Sequence, residues 1–204
     1  MSVQPSTDRR GELLDIAAGL FAERGLRATT VRDIADAAGI LSGSLYHHFD
    51  SKESMVDEIL RGFLDELFGR YREIVGRKLD PRTTLEAIVI ASFHAIDEQH
   101  SAVAIYQAEV RLLVDQPRFA YIGKRLVEFR KMWRDVLKSG VADGSFRADL
   151  DVELSYRFLR DTVWVGVGWY RPGGKLDIDA IARQYLSIVL HGMVGNSNGR
   201  NHHG

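Results

Sequence analysis

The stretch from Thr29 to Phe49 (TTVRDIADAAGILSGSLYHHF) constrains this chain more than any other. Thr30 precedes an apolar run and Asp33 follows three residues later, the spacing of a capping box at a helix start. Val31, Ile34, Ala35 and Ala38 then fall at i, i+3, i+4 and i+7, which makes one buried stripe. Gly39 stands just past that stripe, where a left-handed helix end favours glycine. Ser42 can cap the next helix, whose Leu45 and Phe49 face the core at i and i+4. Asp50 can cap the helix after that, with Glu53 three residues on to answer it. The pattern predicts two short helices joined by a glycine turn, with Ser42, Gly43, Ser44, Tyr46 and His47 turned outward. A small, polar second helix of this kind suits the major groove of DNA.

The rest of the chain reads as helix as well. Leu13, Ile16, Ala17, Leu20 and Phe21 form an amphipathic stripe that Gly25 ends. Residues 52–76 repeat apolar side chains at helical spacing, from Val56 to Tyr71. Pro81 suits the first position of a helix over 81–99. Further helices are expected at 101–114, 117–139, 151–170 and 177–193, separated by Asp115-Gln116-Pro117, Ala142-Asp143-Gly144 and Arg171-Pro172-Gly173-Gly174. The expected fold class is all-α: an N-terminal three-helix helix-turn-helix head in residues 1–50, then a helical ligand-binding and dimerisation domain in residues 51–194. The Gly-, Asn- and His-rich residues 195–204 read as a disordered tail.

Composition excludes several classes. With no cysteine there is neither a disulfide scaffold nor a thiolate zinc site. No apolar run approaches the roughly 18 residues of a membrane span, and residues 1–10 lack the apolar core of a signal peptide, so a cytoplasmic protein is expected. The net charge of -1 gives no bulk support to DNA binding, and the first 50 residues carry five arginines against seven carboxylates. Positive charge must then be concentrated locally. Arg27, Arg32, His47, His48 and Lys52 surround the outward helix and can form such a patch. Tyr46 and Lys52 are candidates for phosphate contacts, and Ser42, Ser44 and His47 for base edges. Gly43 removes a side chain where backbone meets phosphate, and Thr30 can cap its helix or donate to phosphate. His47 and His48 point about 100° apart on a helix, so they are poorly placed to chelate one ion, and no metal or cofactor is expected.

At this point the residues match a known family. Thr30-Val31-Arg32-Asp33-Ile34-Ala35, Ala38-Gly39, Gly43-Ser44-Leu45-Tyr46-His47-His48-Phe49 and Ser51-Lys52-Glu53 resemble the N-terminal signature of TetR-family transcriptional regulators. The block Arg9 to Asp65, the segment Arg130-Lys131-Met132-Trp133 and the stretch Asp149 to Gly174 are similar to a KstR-type subgroup of that family, repressors in actinobacterial cholesterol degradation. The resemblance implies a homodimer on a palindromic DNA operator, repression of genes for the steroid C and D rings, and release by a coenzyme A thioester of a steroid-derived acid. The tail after Gly192 departs from the resemblance.

The residues suggest where such a ligand would sit. Arg157, Arg160 and Trp164 lie at i, i+3 and i+7, so they share a helix face. Arginine forks suit phosphate and indole suits stacking on adenine or packing on a fused ring, although ordinary Arg–carboxylate pairs would use the same residues. Phe63, Leu67, Phe93, Tyr106, Phe129 and Trp133 are candidates to line an apolar cavity, or are plain core. Val163, Gly166 and Gly168, with Tyr185, Leu186 and Val189 on the last helix, suggest a two-helix dimer face, because two helical glycines allow close backbone approach. Two other classes stay open at this level. One is a helical enzyme acting on acyl thioesters, with Asp161, His94 or Glu109 as base; the other is a structural adaptor.

Overall fold

The structure, a computed structural model, describes residues 6–191, with side chains described from Arg9 onward; the expected tail at 195–204 lies outside that range. Nine α-helices and no strands are found among the described residues: α1 (Ser6–Arg24), α2 (Val31–Ala37), α3 (Ser42–Leu45), α4 (Lys52–Gly76), α5 (Pro81–Glu98), α6 (His100–Leu113), α7 (Ala120–Ala142), α8 (Val152–Trp164) and α9 (Ile178–His191). The all-α expectation holds.

The head forms as its sequence dictates, with two shifts of register. Thr30 caps α2: its hydroxyl accepts the Asp33 N–H at 3.1 Å, and the Asp33 carboxylate accepts the Thr30 N–H at 2.8 Å. The Thr30 hydroxyl, which also donates to the Asp33 carboxylate, and then the Thr30 N–H hold that carboxyl below the usual carboxylate range. Gly39 takes φ +66, and Ile40 N–H and Gly39 N–H close back on Ala35 and Asp36 carbonyls at 3.0 and 3.2 Å. That is a Schellman end, which requires the left-handed residue glycine supplies. The expected cap Ser42 is instead the first helical residue of α3; Leu41 occupies the cap position and makes no side-chain cap bond. The Schellman register explains this, because it leaves Leu41 as the last extended residue. The expected cap Asp50 gives way to Ser51, which forms a reciprocal pair with Ser54 at 3.1 and 3.2 Å. Helix α3 is also shorter than expected. After Leu45 the chain tightens into turns, with His48 N–H and Phe49 N–H both on the Leu45 carbonyl, and Leu45 and Phe49 stay buried.

Helix α4 carries the head into the body. Its Met55, Val56, Leu60, Phe63, Leu64, Leu67, Phe68 and Tyr71 are buried, so one continuous stripe serves both parts. The body is built around α5, which packs against α4, α7, α8 and α9. Ile88, Val89 and Ile96 are fully buried there, and Asp80 and Pro81 begin the helix as cap and first residue. Two body helices differ from expectation. The segment 117–139 begins as a 3-10 turn over Pro117–Phe119 and runs α-helically to Ala142. The segment 151–170 leaves α geometry after Trp164 and tightens into a 3-10 turn over Val165–Gly168. Glycine lowers helix propensity, and two glycines in three residues allow the tightening.

Candidate DNA-reading face and interior cavity

The outward residues of the head are where the sequence placed them. Tyr46 is 57% exposed, Thr30, Arg32, Gly43 and His47 are exposed, and Ser42 and Ser44 are half-buried on the same short helix. Arg32 pairs only loosely with Asp36, at 3.7 Å. Lys52 is placed differently: its ammonium donates to the Leu26 and Thr29 carbonyls at 2.7 and 3.1 Å, binding the start of α4 to the loop between α1 and α2. Arg10 does similar work from α1. Its guanidinium lies 4.2 Å over the Phe49 ring, bonds to Glu58 of α4 and donates to the His48 carbonyl. Charge-assisted bonds therefore fix the turn that follows α3 and the start of α4, and none of them occupies the outer face of α3.

The body holds a cavity of about 680 Å³, partly open to solvent, between α4, α6, α7, α8 and the 3-10 turn that follows α8. That size suits a small organic ligand. Of the expected lining residues, Phe63, Leu67, Tyr106, Phe129, Arg160 and Trp164 reach its wall. Phe93 and Trp133 do not. Phe93 packs edge-on against Tyr185 at 5.4 Å, and Trp133 stacks behind Phe129 at 5.4 Å with no exposed surface. Burial of the Tyr106 hydroxyl pushes its pKa up to about 12, so it meets a ligand as a neutral donor. Trp164 is wedged edge-on against Phe63 at 6.3 Å and is 6% exposed. Its indole is a wall for an apolar ring system rather than a free platform at the mouth.

The lining carries three arginines and one carboxylate, Asp161. Arg111, Arg125 and Arg160 sit on the lining beside exposed Leu126 and Val165. Arg160 is bonded to Asp161 at 2.6 Å, and Arg125 to Asp65 and Glu128 at 2.5 and 2.9 Å; Arg111 makes no ion pair among the described residues. Arg157 is a correction. It shares a helix face with Trp164 but stands two turns, roughly 10 Å, towards the start of α8. There it joins Arg130 and Arg134 around Glu153, at 3.1, 2.9 and 3.1 Å.

The expected dimer face also needs correction. Val163, Gly166 and Leu186 are buried inside this protomer, against α5 in the case of Gly166, whose missing Cβ would lie 3.6 Å from Ile96 and 3.7 Å from Phe93. Tyr185 is half-buried and bonds Thr162 at 2.8 Å, tying α9 to α8. Only Gly168 and Val189 of that set are exposed. The opposite side of α8 and its exit carries the apolar surface: Leu154, Phe158, Val165 and Trp169, with Ile188 on α9.

Sequence reasoning missed Arg111 and Arg125 on the cavity lining, and offered Glu109 only as a candidate base, not as a tie to the head. Glu109 is on α6, which also supplies cavity-lining residues, and its carboxylate accepts the Leu26 N–H at 3.3 Å. Periodicity marks such residues only as polar. The three candidate bases for an enzyme do not converge: Asp161 is tied to Arg160, His94 to Asp179 at 2.7 Å, and Glu109 to Leu26.

Comparison with known proteins gives consistent matches. Residues 13–59 match the family described as bacterial regulatory proteins, tetR family, and residues 78–193 match the tetracyclin repressor-like C-terminal domain. The chain is 70% identical to the HTH-type transcriptional repressor KstR2 of Rhodococcus jostii (strain RHA1), with 93% of each chain covered. It is 63% identical to the repressor of the same name from Mycobacterium tuberculosis (strain ATCC 25618 / H37Rv), over 91% of this chain and 92% of that one. The solved structure of the ketosteroid transcriptional regulator KstR2 of Mycobacterium tuberculosis superimposes with a TM-score of 0.89 at 61% identity, covering 94% of this chain and 96% of that one.

Proposed function

The chain belongs to the tetR family of bacterial regulatory proteins and is a transcriptional repressor rather than an enzyme; from that premise we propose that it holds a palindromic operator as a homodimer and releases it when an acyl-coenzyme A effector fills the cavity. The genes controlled are those of steroid ring catabolism, a reading supported by the identity to a protein named a ketosteroid regulator. One observation carries the mechanism. Helix α6 walls the cavity through Tyr106 and Val110, packs on α1, and through Glu109 holds the Leu26 N–H at the foot of the head. A ligand that displaces α6 therefore acts on the head directly. Release is a population shift: the occupied state favours a head spacing that no longer matches consecutive major grooves.

Two expected results test the two ends. Tyr46→Ala weakens operator binding by about 1–3 kcal/mol while circular dichroism stays that of the folded chain, because the ring is exposed and its hydroxyl is free to donate to phosphate. Operator affinity unchanged by this variant would remove Tyr46 from the interface. At the other end, Arg160→Met and Trp164→Ala each raise the concentration of a coenzyme A thioester needed to release operator DNA, by about ten- to a hundredfold, and leave operator affinity unchanged. The arginine supplies charge for the phosphate part, after exchanging Asp161 for ligand, and the indole supplies the apolar wall. Parallel titrations with free coenzyme A and its thioesters measure this. Unchanged inducing concentrations in both variants contradict the effector reading.

A further inference from the structure

Helices α2, α3 and α4 begin within about twenty residues of one another, and two of them begin alike. Thr30 and Ser51 each cap their helix with a reciprocal pair of hydrogen bonds. The third, α3, has Leu41 at its cap position, which makes no cap bond and is 80% exposed, the largest exposure of any large hydrophobic residue among those described. Its neighbour Ile40 packs against the core, so the chain turns one apolar side chain in and the next out. Leucine at a helix cap forgoes the bond that Ser, Thr, Asp or Asn would make. An exposed leucine also adds nothing to the core. The cap rule is broken here at the most exposed large apolar side chain among the described residues, and a functional site breaks a local rule when its demands outrank stability.

The position says what the side chain meets. In this motif the reading helix presents its N-terminal residues to base edges. Leucine has no donor or acceptor, so it serves neither a phosphate nor the polar edge of a base. The one apolar group in the major groove is the C5-methyl of thymine. We infer that Leu41 is a specificity-determining residue that packs on a thymine methyl in each operator half-site. The inference rests on the DNA-reading role of α3 given above, and adds a base identity that the polar residues Ser42, Ser44 and His47 do not supply.

The test uses the full-length chain and a duplex that it selects from a randomised library. Each thymine of the selected duplex is then replaced singly by deoxyuridine, which deletes the methyl and keeps every polar edge. The wild type is expected to lose about fourfold in affinity at one symmetry-related thymine, the worth of one buried methyl group. Leu41→Ala should bind the unmodified duplex about fourfold more weakly per half-site and lose its sensitivity to that one replacement. Leu41→Asn, which restores a capping side chain, should melt no lower than the wild type and show the same insensitivity. A wild type indifferent to every deoxyuridine overturns the inference and leaves DNA binding standing. So does a Leu41→Ala chain that weakens on all duplexes yet keeps the thymine sensitivity, since the methyl is then read by another residue. A wild type that enriches no duplex overturns the DNA-reading role itself.

Discussion

Trp133→Ala is expected to lower the unfolding free energy by about 3–5 kcal/mol, the range for deleting a large aromatic side chain from a packed core. Trp133 has no exposed surface, stacks on Phe129 and meets Tyr71 edge-on at 6.5 Å. Its indole N–H has no acceptor among the described residues, so ring packing rather than a hydrogen bond sets the cost. Domains of this kind hold only about 5–15 kcal/mol in all, so the loss is a large share of stability. It also removes the backing of Phe129, which lines the cavity. Urea unfolding followed by circular dichroism measures the effect, and Trp133→Phe, which keeps a ring against Tyr71 and Phe129, should cost less than half as much. A loss below about 1 kcal/mol for the alanine variant would show that the site collapses around the gap.

How much of this was legible beforehand depends on what each residue answers to. Thr30, Asp33 and Gly39 act through bonds spanning three to five residues, so their spacing alone foretold the α2 cap and the Schellman end. Asp50 and Ser51 are adjacent polar residues, each with a workable partner three positions on. The choice of Ser51 with Ser54 turns on one backbone register that composition does not encode. Periodicity likewise finds that Phe93 and Trp133 face inward, but not whether the space inside is filled. They lie in solid core, while Phe63, Leu67 and Phe129 border the cavity. Arg157 obeyed its helical spacing and was still misplaced, because Glu153 one turn upstream holds it away from the ligand side.

The dimer face is the instructive reversal. The periodic stripes of α8 and α9 that suggested it, through Val163, Gly166 and Leu186, are the stripes that bury against α5. A helix that must serve both its own core and a partner needs two apolar faces, and the second reads as ordinary exposed residues until the first is assigned. Leu154 and Phe158 stand one turn apart, and Val165 continues their line seven residues on. Their exposures of 51%, 68% and 61% make a surface that a lone soluble protomer rarely keeps in contact with water.

On that face Phe158→Glu is the most damaging exposed change expected in the molecule. In an isologous dimer each substitution counts twice, because the same side chain is lost from both copies. Burying one phenyl ring contributes about 1.5–3 kcal/mol, so the pair contributes roughly 3–6 kcal/mol, before the cost of desolvating two carboxylates. The dimer dissociation constant should therefore rise at least about a hundredfold. Operator affinity should fall with it, since two linked heads reach two half-sites and a single head reaches one. The fold should survive, because a ring 68% exposed contributes little to the protomer's own core. The cavity lining also stays whole, because Phe158 is no part of it. Sedimentation velocity at low micromolar concentration, with circular dichroism alongside, separates loss of assembly from loss of fold. A Phe158→Glu chain that still sediments as a dimer and binds operator as tightly as the wild type would place the partner on another face. Trp169 and Ile188, the next apolar groups out, would then be released from the same role.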